Sequence, residues 1–309
     1  MDTDRLIRRA LEGERVAIAR LISLVEDGGP DLGRVMKGLY PHTGLAYTIG
    51  VTGSPGAGKS TLTERLVARA RSDGHRIGVL AVDPSSPFSG GALLGDRVRM
   101  QSHATDPDVF IRSMATRGHL GGISLATPEA VRVLDAAGKD IVIIETVGVG
   151  QAEVEITDAC DSTVVVVNPG WGDAIQTAKA GLMEIADVFV VNKADRQGLR
   201  DTMRELRAML ELSDADWKPD VVTSIAIKGE GIDELWTAIQ KHRDHQVTKG
   251  LLDQRRRRRI GREIKSIVVA SYKQQVDEEA AGELEGLIEE VAARRIDPYE
   301  AAARIRESM

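Results

Sequence analysis

Apolar and polar positions follow two alternating patterns along the central part of the chain. Short and almost continuous apolar runs, such as residues 141–144 and 164–167, are separated by amphipathic stretches of helical period. Continuous apolar runs are typical of strands that are buried on both faces, as in a parallel sheet between two layers of helices. The pattern therefore predicts a doubly wound α/β fold with a mainly parallel sheet.

The predicted strands and helices follow one another in alternation. The predicted strands are residues 46–52, 77–82, 109–113, 141–146, 163–167, 188–191 and 221–224. The predicted helices of this region are residues 60–73, 128–137, 173–185, 199–212 and 231–243.

Helical patterns without strands flank this region on both sides. Residues 3–26 have apolar positions at helical spacing and predict one helix, which Gly28, Gly29 and Pro30 end; a short second helix is predicted at 31–40. Beyond residue 247 only helical patterns remain, and the last two are predicted at 278–293 and 298–308. We therefore expect an N-terminal helical extension (1–44), an α/β domain (45–247) and a C-terminal helical extension (248–309).

Composition and charge narrow the function classes. The 309 residues carry a formal net charge of −6, which gives no general attraction to nucleic acid or to an anionic membrane. Residues 255–259 are five consecutive arginines; RNA binding is one interpretation, but no aromatic residues accompany them, which favours a solvated helix face or salt bridges between subunits. There is no apolar run of membrane-spanning length, and the N-terminus lacks a hydrophobic signal core, so the expected location is the cytoplasm.

Residues 53–60 match the phosphate-loop pattern between a predicted strand and a predicted helix. Backbone amides of such a loop, together with the helix N-terminus, bind phosphate oxygens. Lys59 is expected to reach the β- and γ-phosphates, and the hydroxyl of Ser60 to bind Mg²⁺. The residues expected around the phosphates are Gly53, Ser54, Pro55, Gly56, Ala57, Gly58, Lys59, Ser60 and Thr61.

Acidic residues at or near the ends of predicted strands complete a predicted magnesium site. Asp83 and Glu145 end two buried strands, and Asp96 lies in the loop that follows Asp83. Carboxylate oxygens are ligands that Mg²⁺ prefers. Gly148 follows Glu145 by three residues, at a spacing typical of a loop that senses the γ-phosphate through a backbone amide. The predicted magnesium ligands are Ser60, Asp83, Asp96 and Glu145.

The motif at the end of the strand 188–191 predicts guanine as the base. The carboxylate of Asp195 can accept from both N1–H and the N2 amino group, and adenine has no such pair of donors. Asn192 can bond the ring edge and the phosphate loop, and a backbone amide at the end of the next strand can meet guanine O6. The residues expected at the base are Asn192, Lys193, Asp195, Ser224, Ile225 and Ala226.

Several longer segments together resemble one family. They are residues 82–86, 90–97 and 145–151, and the positions Gly172, Asp173, Gln176, Lys179, Gly181, Glu184, Ala186 and Asp187. In these segments the chain resembles the MeaB/ArgK GTPases, which are G-protein chaperones of adenosylcobalamin-dependent acyl-CoA mutases, chiefly methylmalonyl-CoA mutase. The resemblance covers residues 45–240.

The resemblance implies a phosphate-loop GTPase fold of the MinD/BioD-related branch and a homodimer, with the C-terminal extension as the dimerisation element. It implies three switches, at residues 83–99, 145–151 and 168–180. GTP or GDP would be the ligand with Mg²⁺, cobalamin would not be bound on this chain, and GTP hydrolysis would gate cofactor loading and protect or reactivate the mutase. It also implies that Gln176 and Lys179 help to organise catalysis when the mutase docks, and with Lys59, Asp83 and Glu145 they form the predicted catalytic set.

Some features leave alternatives open. Trp171 stands where the family usually has a small residue, as either a partner anchor or a packed loop residue, so the client is either methylmalonyl-CoA mutase or a related isobutyryl- or hydroxyisobutyryl-CoA mutase. No residue is certain to orient the attacking water; Gln151 is a candidate by type, and we expect slow hydrolysis that the partner accelerates.

Three other functions agree less well with the sequence. A metal-insertion GTPase usually has a cysteine or histidine site, but Cys160 is the one cysteine, and His103 and His119 have no ligand spacing. A transport-system kinase would need a site for its protein substrate, which nothing in the sequence indicates. A non-enzymatic scaffold disagrees with the intact lysine, serine and acids.

Overall fold

The computed structural model describes residues 2–83, 101–103, 105–115, 126–146, 152–170 and 185–308. The chain divides into two compact units, Met1–Leu252 and Asp253–Met309. The predicted domain boundaries at 44/45 and 247/248 stay predictions.

The first unit is built on a parallel sheet of seven described strands. They are β1 (Tyr47–Gly53), β2 (Ile77–Asp83), β3 (Val109–Ala115), β4 (Ile141–Thr146), β5 (Ser162–Val167), β6 (Val188–Asn192) and β7 (Asp220–Ser224). Their order is β3-β2-β4-β1-β5-β6-β7, and every pairing is parallel. The chain moves outward from β1 to β3, returns to β4 beside β1, and then continues on the other side. This reversal of strand order beside β1 is where open α/β sheets bind ligands, outside the carboxyl ends of the strands.

Helices cover both faces of this sheet. The described helices of the first unit are α1 (Thr3–Leu11), α2 (Arg15–Asp27), α3 (Leu32–Leu39), α4 (Lys59–Ser72), α5 (Ala126–Ala136), α6 (Ala152–Ala159), α7 (Leu199–Glu211) and α8 (Ile232–Thr248). Helix α9 (Leu251–Glu279) begins at the end of this unit, and α10 (Ala281–Ala292) and α11 (Pro298–Ser308) follow it. Most of the helix predicted at 173–185 lies outside the described residues.

Alternate residues of the strands enter different cores. Val142 and Ile144 of β4 join a cluster with α1, α2, α3 and α5, whereas Ile141 and Ile143 join a cluster with α4 and α8. All four side chains are at most 1% exposed. The continuous apolar runs therefore mark strands buried on both faces, as the sequence predicts.

The prediction of one N-terminal helix over residues 3–26 is wrong. The chain forms α1 and α2, because Gly13 adopts a left-handed backbone (φ 82°) and ends the first helix. An ion pair between Arg9 and Glu14 spans the break. Both helices bury their apolar residues in the same cluster, so the helical spacing continues across the turn and conceals it.

The second unit has a small core of its own. Ala280, Leu287, Ala301 and Ile305 are buried together. On α9, by contrast, a set of large apolar side chains is exposed, namely Ile260, Ile264, Ile267, Val268, Val269 and Tyr272. No helix in the described part of the chain is both long enough and apolar enough to cross a bilayer.

Candidate nucleotide-binding site

The phosphate loop connects the carboxyl end of the central strand β1 to the first residue of α4. A side chain at Gly53 (φ 130°) would collide with the carbonyl oxygen of Val166 on β5, and one at Gly58 (φ 93°) with the side-chain amide of Asn192. The two glycines therefore let the loop lie against β5 and β6 with no intervening side chain. Since α4 begins here, its N-terminal amides and its dipole favour an anion at this point.

Lys59 is folded back over the loop. Its amine donates to the carbonyl oxygens of Gly53 (2.7 Å) and Ser54 (3.0 Å), and the residue is 7% exposed. A phosphate that binds in the loop would exchange these neutral acceptors for charged oxygens, which form stronger hydrogen bonds with an ammonium group.

Ser60 and Glu145 lie in direct contact. The hydroxyl of Ser60 donates to Oε1 of Glu145 at 2.5 Å, and Glu145 is 2% exposed. Beside this pair, the hydroxyl of Thr146 donates to that of Thr52 at 3.0 Å, which joins β4 to β1. The structure thus brings together two of the four predicted magnesium ligands, and hydroxyl and carboxylate oxygens are donors that suit Mg²⁺.

Of the other two predicted magnesium ligands, Asp83 has its backbone at this edge of the sheet. Asp83 ends β2, which pairs with β4 so that Val82 lies opposite Thr146; its backbone is therefore at the same sheet edge as Glu145. Only the backbone of Asp83 is described, and Asp96 lies outside the described residues. Within the described ranges no group of three or more histidine, cysteine or acidic side chains forms a metal cluster.

Asn192 connects the predicted base site to the phosphate loop. It ends β6, is 2% exposed, and its side-chain amide donates to the carbonyl oxygen of Ala57 at 2.8 Å. Its Oδ1 accepts from the hydroxyl of Ser224 and from the backbone amide of Ala226, both at 3.1 Å. One buried side chain therefore fixes three segments of the site.

Lys193 and Asp195 follow Asn192 in a turn directed toward solvent. Lys193 adopts a left-handed backbone (φ 58°), which is uncommon for a residue with a side chain, and its amine donates to the carbonyl oxygen of Gly56 at 2.5 Å. Asp195 is exposed, and within the described ranges its carboxylate accepts no hydrogen bond from the protein. The carboxylate is thus available to an external pair of donors.

The loop after β7 is a single 3-10 turn (Ala226–Lys228) that Gly229 closes. The amide of Ile225 donates to Glu230 O at 3.0 Å, and that of Ala226 donates to Asn192. Two of the amides that the sequence offers for guanine O6 therefore already have protein acceptors, and the next amide along the chain is that of Ile227.

The sequence-predicted residues fall into two groups. The described part of the chain brings the phosphate loop, Glu145, Asn192 and the Ser224–Ala226 segment to one edge of the sheet, with Lys193 and Asp195 beside them. The predicted site residues Gly148, Gln176 and Lys179 lie outside the described residues, as do Gln151 and Trp171.

Sequence reasoning missed one residue of this site. Arg65 on α4 donates from Nε to Ala226 O and from Nη2 to Ile227 O, each at 3.2 Å. No motif marks it, because it is an ordinary exposed position of an amphipathic helix in the sequence.

A phosphate loop between a central parallel strand and a helix, at the reversal of strand order, defines a phosphate-loop nucleotide-binding protein. Residues 18–281 match the model of a family described as methylmalonyl Co-A mutase-associated GTPase MeaB, and the chain belongs to this family of GTPases. The fold class and the family resemblance predicted from the sequence are therefore confirmed.

Similar proteins agree with this assignment. A putative GTPase of Pyrococcus abyssi is 51% identical over 98% of this chain and 95% of its own length. The GTPase ArgK of Escherichia coli is 39% identical over 80% of this chain and 78% of its own length. A crystal structure described as a LAO/AO transport system kinase is 28% identical, covers 99% of this chain and 96% of its own, and superimposes with a TM-score of 0.72.

Proposed function

We propose that this chain is a magnesium-dependent GTPase that acts as the chaperone of an adenosylcobalamin-dependent acyl-CoA mutase, with methylmalonyl-CoA mutase as the first candidate. Membership of the MeaB family, whose description names that mutase, supports the partner. The observation that best supports a guanine nucleotide is the position of Asn192, because it joins the phosphate loop to the loop of the predicted base site.

In this proposal the described residues bind and orient the nucleotide. The loop amides and the N-terminus of α4 hold the β- and γ-phosphates, and Lys59 moves from loop carbonyls to phosphate oxygens. Asp195 accepts from N1–H and N2 of guanine, and Asn192 holds the two loops in register. Hydrolysis adds water to the γ-phosphorus and breaks its bond to the bridging oxygen of GDP, a step that needs positioning and charge neutralisation more than covalent chemistry.

Mg²⁺ would neutralise negative charge on the phosphates when bound. Ser60 and Glu145 supply a hydroxyl and a carboxylate to hold it, and we propose Asp83 and Asp96 as further ligands. We also propose that Gln176 and Lys179 help to complete the catalytic site when the mutase docks, with GTP hydrolysis gating the loading of its cofactor and the repair of inactivated enzyme. A relative in mouse carries the name methylmalonic aciduria type A homolog; it is 35% identical over 82% of this chain and 66% of its own length.

We further propose that the protein is a homodimer through α9. Ile260, Ile264, Ile267 and Val268 recur at intervals of four, three and one residues, with Tyr272 one turn later, which places them along one side of the helix. All five are between 39% and 59% exposed. A second copy of the chain would bury this face, and an I264E/V268E variant would shift the protein to monomer in analytical ultracentrifugation; a dimer unchanged by that variant contradicts the proposal.

The direct test measures GTP hydrolysis by the purified chain alone and with each candidate mutase. We expect slow release of phosphate from the isolated chain and a rate at least tenfold higher with the true client. A K59A variant should remove the activity in both mixtures. An isolated chain that already hydrolyses GTP at its mutase-bound rate contradicts the chaperone half of the proposal.

A kinase of a transport system is the second candidate, because that is how the similar crystal structure is described. Incubation with γ-labelled GTP or ATP separates the two functions. Label released as free phosphate supports the GTPase, whereas label transferred to a protein supports the kinase.

A further inference from the structure

Helix α4, which begins at the phosphate loop, also contacts the loop after β7. Arg65 donates hydrogen bonds to two successive carbonyl oxygens of this loop, from Nε to Ala226 O and from Nη2 to Ile227 O, each at 3.2 Å. The planar guanidinium presents its donors in a fixed fork, so this pair of bonds fixes the direction of the two carbonyls as well as their distance.

The backbone amides of this loop are mostly engaged. Those of Ile225, Ala226 and Lys228 donate to Glu230 O, to Oδ1 of Asn192 and to Ile225 O. The amide of Ile227 donates to no acceptor in the described part of the chain, and the residue is 76% exposed.

The peptide group is the physical link between these two observations. The carbonyl of Ala226 and the N–H of Ile227 belong to one planar peptide unit. A cationic donor on the carbonyl therefore fixes the plane in which the N–H lies. It also polarises the unit, which makes the N–H a stronger donor.

The acceptor that distinguishes guanine at this edge is O6. Adenine has an amino group at the same ring position, which donates and cannot accept. An amide that is held rigidly and has no protein acceptor is suited to this oxygen, and rejection of adenine follows because the amide and the amino group would meet donor to donor.

We propose that Arg65 is a positioning residue for guanine recognition, which holds the Ala226–Ile227 peptide so that the Ile227 amide donates to O6 of the base. The inference rests on the proposed function, since it takes a guanine nucleotide as the ligand. It assigns part of the base specificity to a helix that is otherwise concerned with the phosphates.

The test uses the full chain and three variants. R65M removes the guanidinium at similar side-chain length, and R65K keeps the charge without the fork. R69M is the matched control, because Arg69 is an arginine one turn further along α4 whose guanidinium contacts Asp73 and Asp233 rather than the carbonyls of the base loop. Dissociation constants are measured for GDP, for 6-thio-GDP, whose sulfur is a weak acceptor at the O6 position, and for IDP, which keeps O6 but lacks the N2 amino group.

We expect R65M to weaken GDP binding roughly tenfold and to bring the ratio of the 6-thio-GDP and GDP dissociation constants close to one. The ratio for IDP and GDP should stay at its wild-type value, because it reports the contact of Asp195 with N2. R65K should fall between R65M and the wild type, and R69M should match the wild type in both ratios.

Two results would overturn the inference. One is an R65M variant in which the ratio of the 6-thio-GDP and GDP dissociation constants stays at its wild-type value. The other is an equal loss of affinity for all three ligands, which indicates general damage to the fold. Thermal unfolding without nucleotide checks for that damage independently. If the wild-type chain shows no preference for GDP over ADP, the proposed function itself fails, and this outcome is distinct from a failure confined to R65M.

Discussion

The base end and the phosphate end of the candidate site are built differently. At the base end, Asn192 is bonded to Ala57, Ser224 and Ala226, and all three bonds can remain when a nucleotide binds. At the phosphate end, Lys59 and Ser60 donate to oxygens of the protein itself. Phosphate and Mg²⁺ would take over these donors and acceptors.

This difference between the two ends predicts which hydrogen bonds contribute to folding and which contribute to nucleotide binding. Bonds that persist in both states stabilise the fold and shape the site together, so their loss should be measurable without nucleotide. Bonds that are exchanged for the ligand contribute mainly to binding and hydrolysis. Substitutions at the two ends should therefore affect different measurements.

The largest expected effect is at the phosphate end. K59A should lower the rate of GTP hydrolysis on the order of a thousandfold, because it removes the cation that faces the transferred phosphate. Its free energy of unfolding without nucleotide should change by less than ~1 kcal/mol, since the hydrogen bonds that its amine donates to Gly53 O and Ser54 O are ones that a bound phosphate replaces. Phosphate release and urea unfolding measure the two quantities, and K37A on α3 is the control. A large loss of stability in K59A would contradict the claim that bonds at the phosphate end contribute mainly to binding and hydrolysis.

The second effect is at the base end, where we expect a loss of stability that is measurable without nucleotide. N192A should lower the free energy of unfolding without nucleotide by about 2–4 kcal/mol, because three buried hydrogen bonds are lost and their partners are left unpaired. The matched control is N168A, which changes the same residue type directly after the last residue of β5. If N192A unfolds like the wild type in urea, the base end is not pre-built by folding.

The third effect concerns base choice alone. D195N should weaken GDP binding about a hundredfold and strengthen binding of XDP, because an amide nitrogen can donate to the carbonyl that xanthine has in place of the N2 amino group. Stability should not change, since Asp195 is exposed and has no protein partner within the described ranges. Competition against a fluorescent nucleotide measures both ligands, with D214N as the control. Unaltered base preference in D195N would remove the motif from the site.

The smallest expected effect is at Glu145, which accepts the hydrogen bond of Ser60 at the predicted magnesium site. E145Q keeps the shape and an acceptor for Ser60 but removes the charge, so the Mg²⁺ concentration for half-maximal hydrolysis should rise about tenfold. A titration of Mg²⁺ against the hydrolysis rate measures the shift, and E211Q at the exposed end of α7 serves as control. An unchanged titration would place Glu145 outside the metal site.

Sequence reasoning was most successful where the pattern is local. The continuous apolar runs predict strands buried on both faces, and the phosphate loop is recognisable because its glycines, lysine and serine are consecutive. The break at Gly13 was missed, since both helices beside it bury the same kind of face. Arg65 was missed because its role depends on α4 lying beside the loop after β7, a contact across more than 150 positions of the chain that no local pattern encodes.

The central claim is that folding pre-builds a site for guanine nucleotides on this chain. Isothermal titration of the wild-type protein with GDP and with ADP, at the same Mg²⁺ concentration, tests it most directly. We predict a dissociation constant for GDP at least a hundredfold below that for ADP. Binding of ADP within tenfold of GDP would contradict the claim.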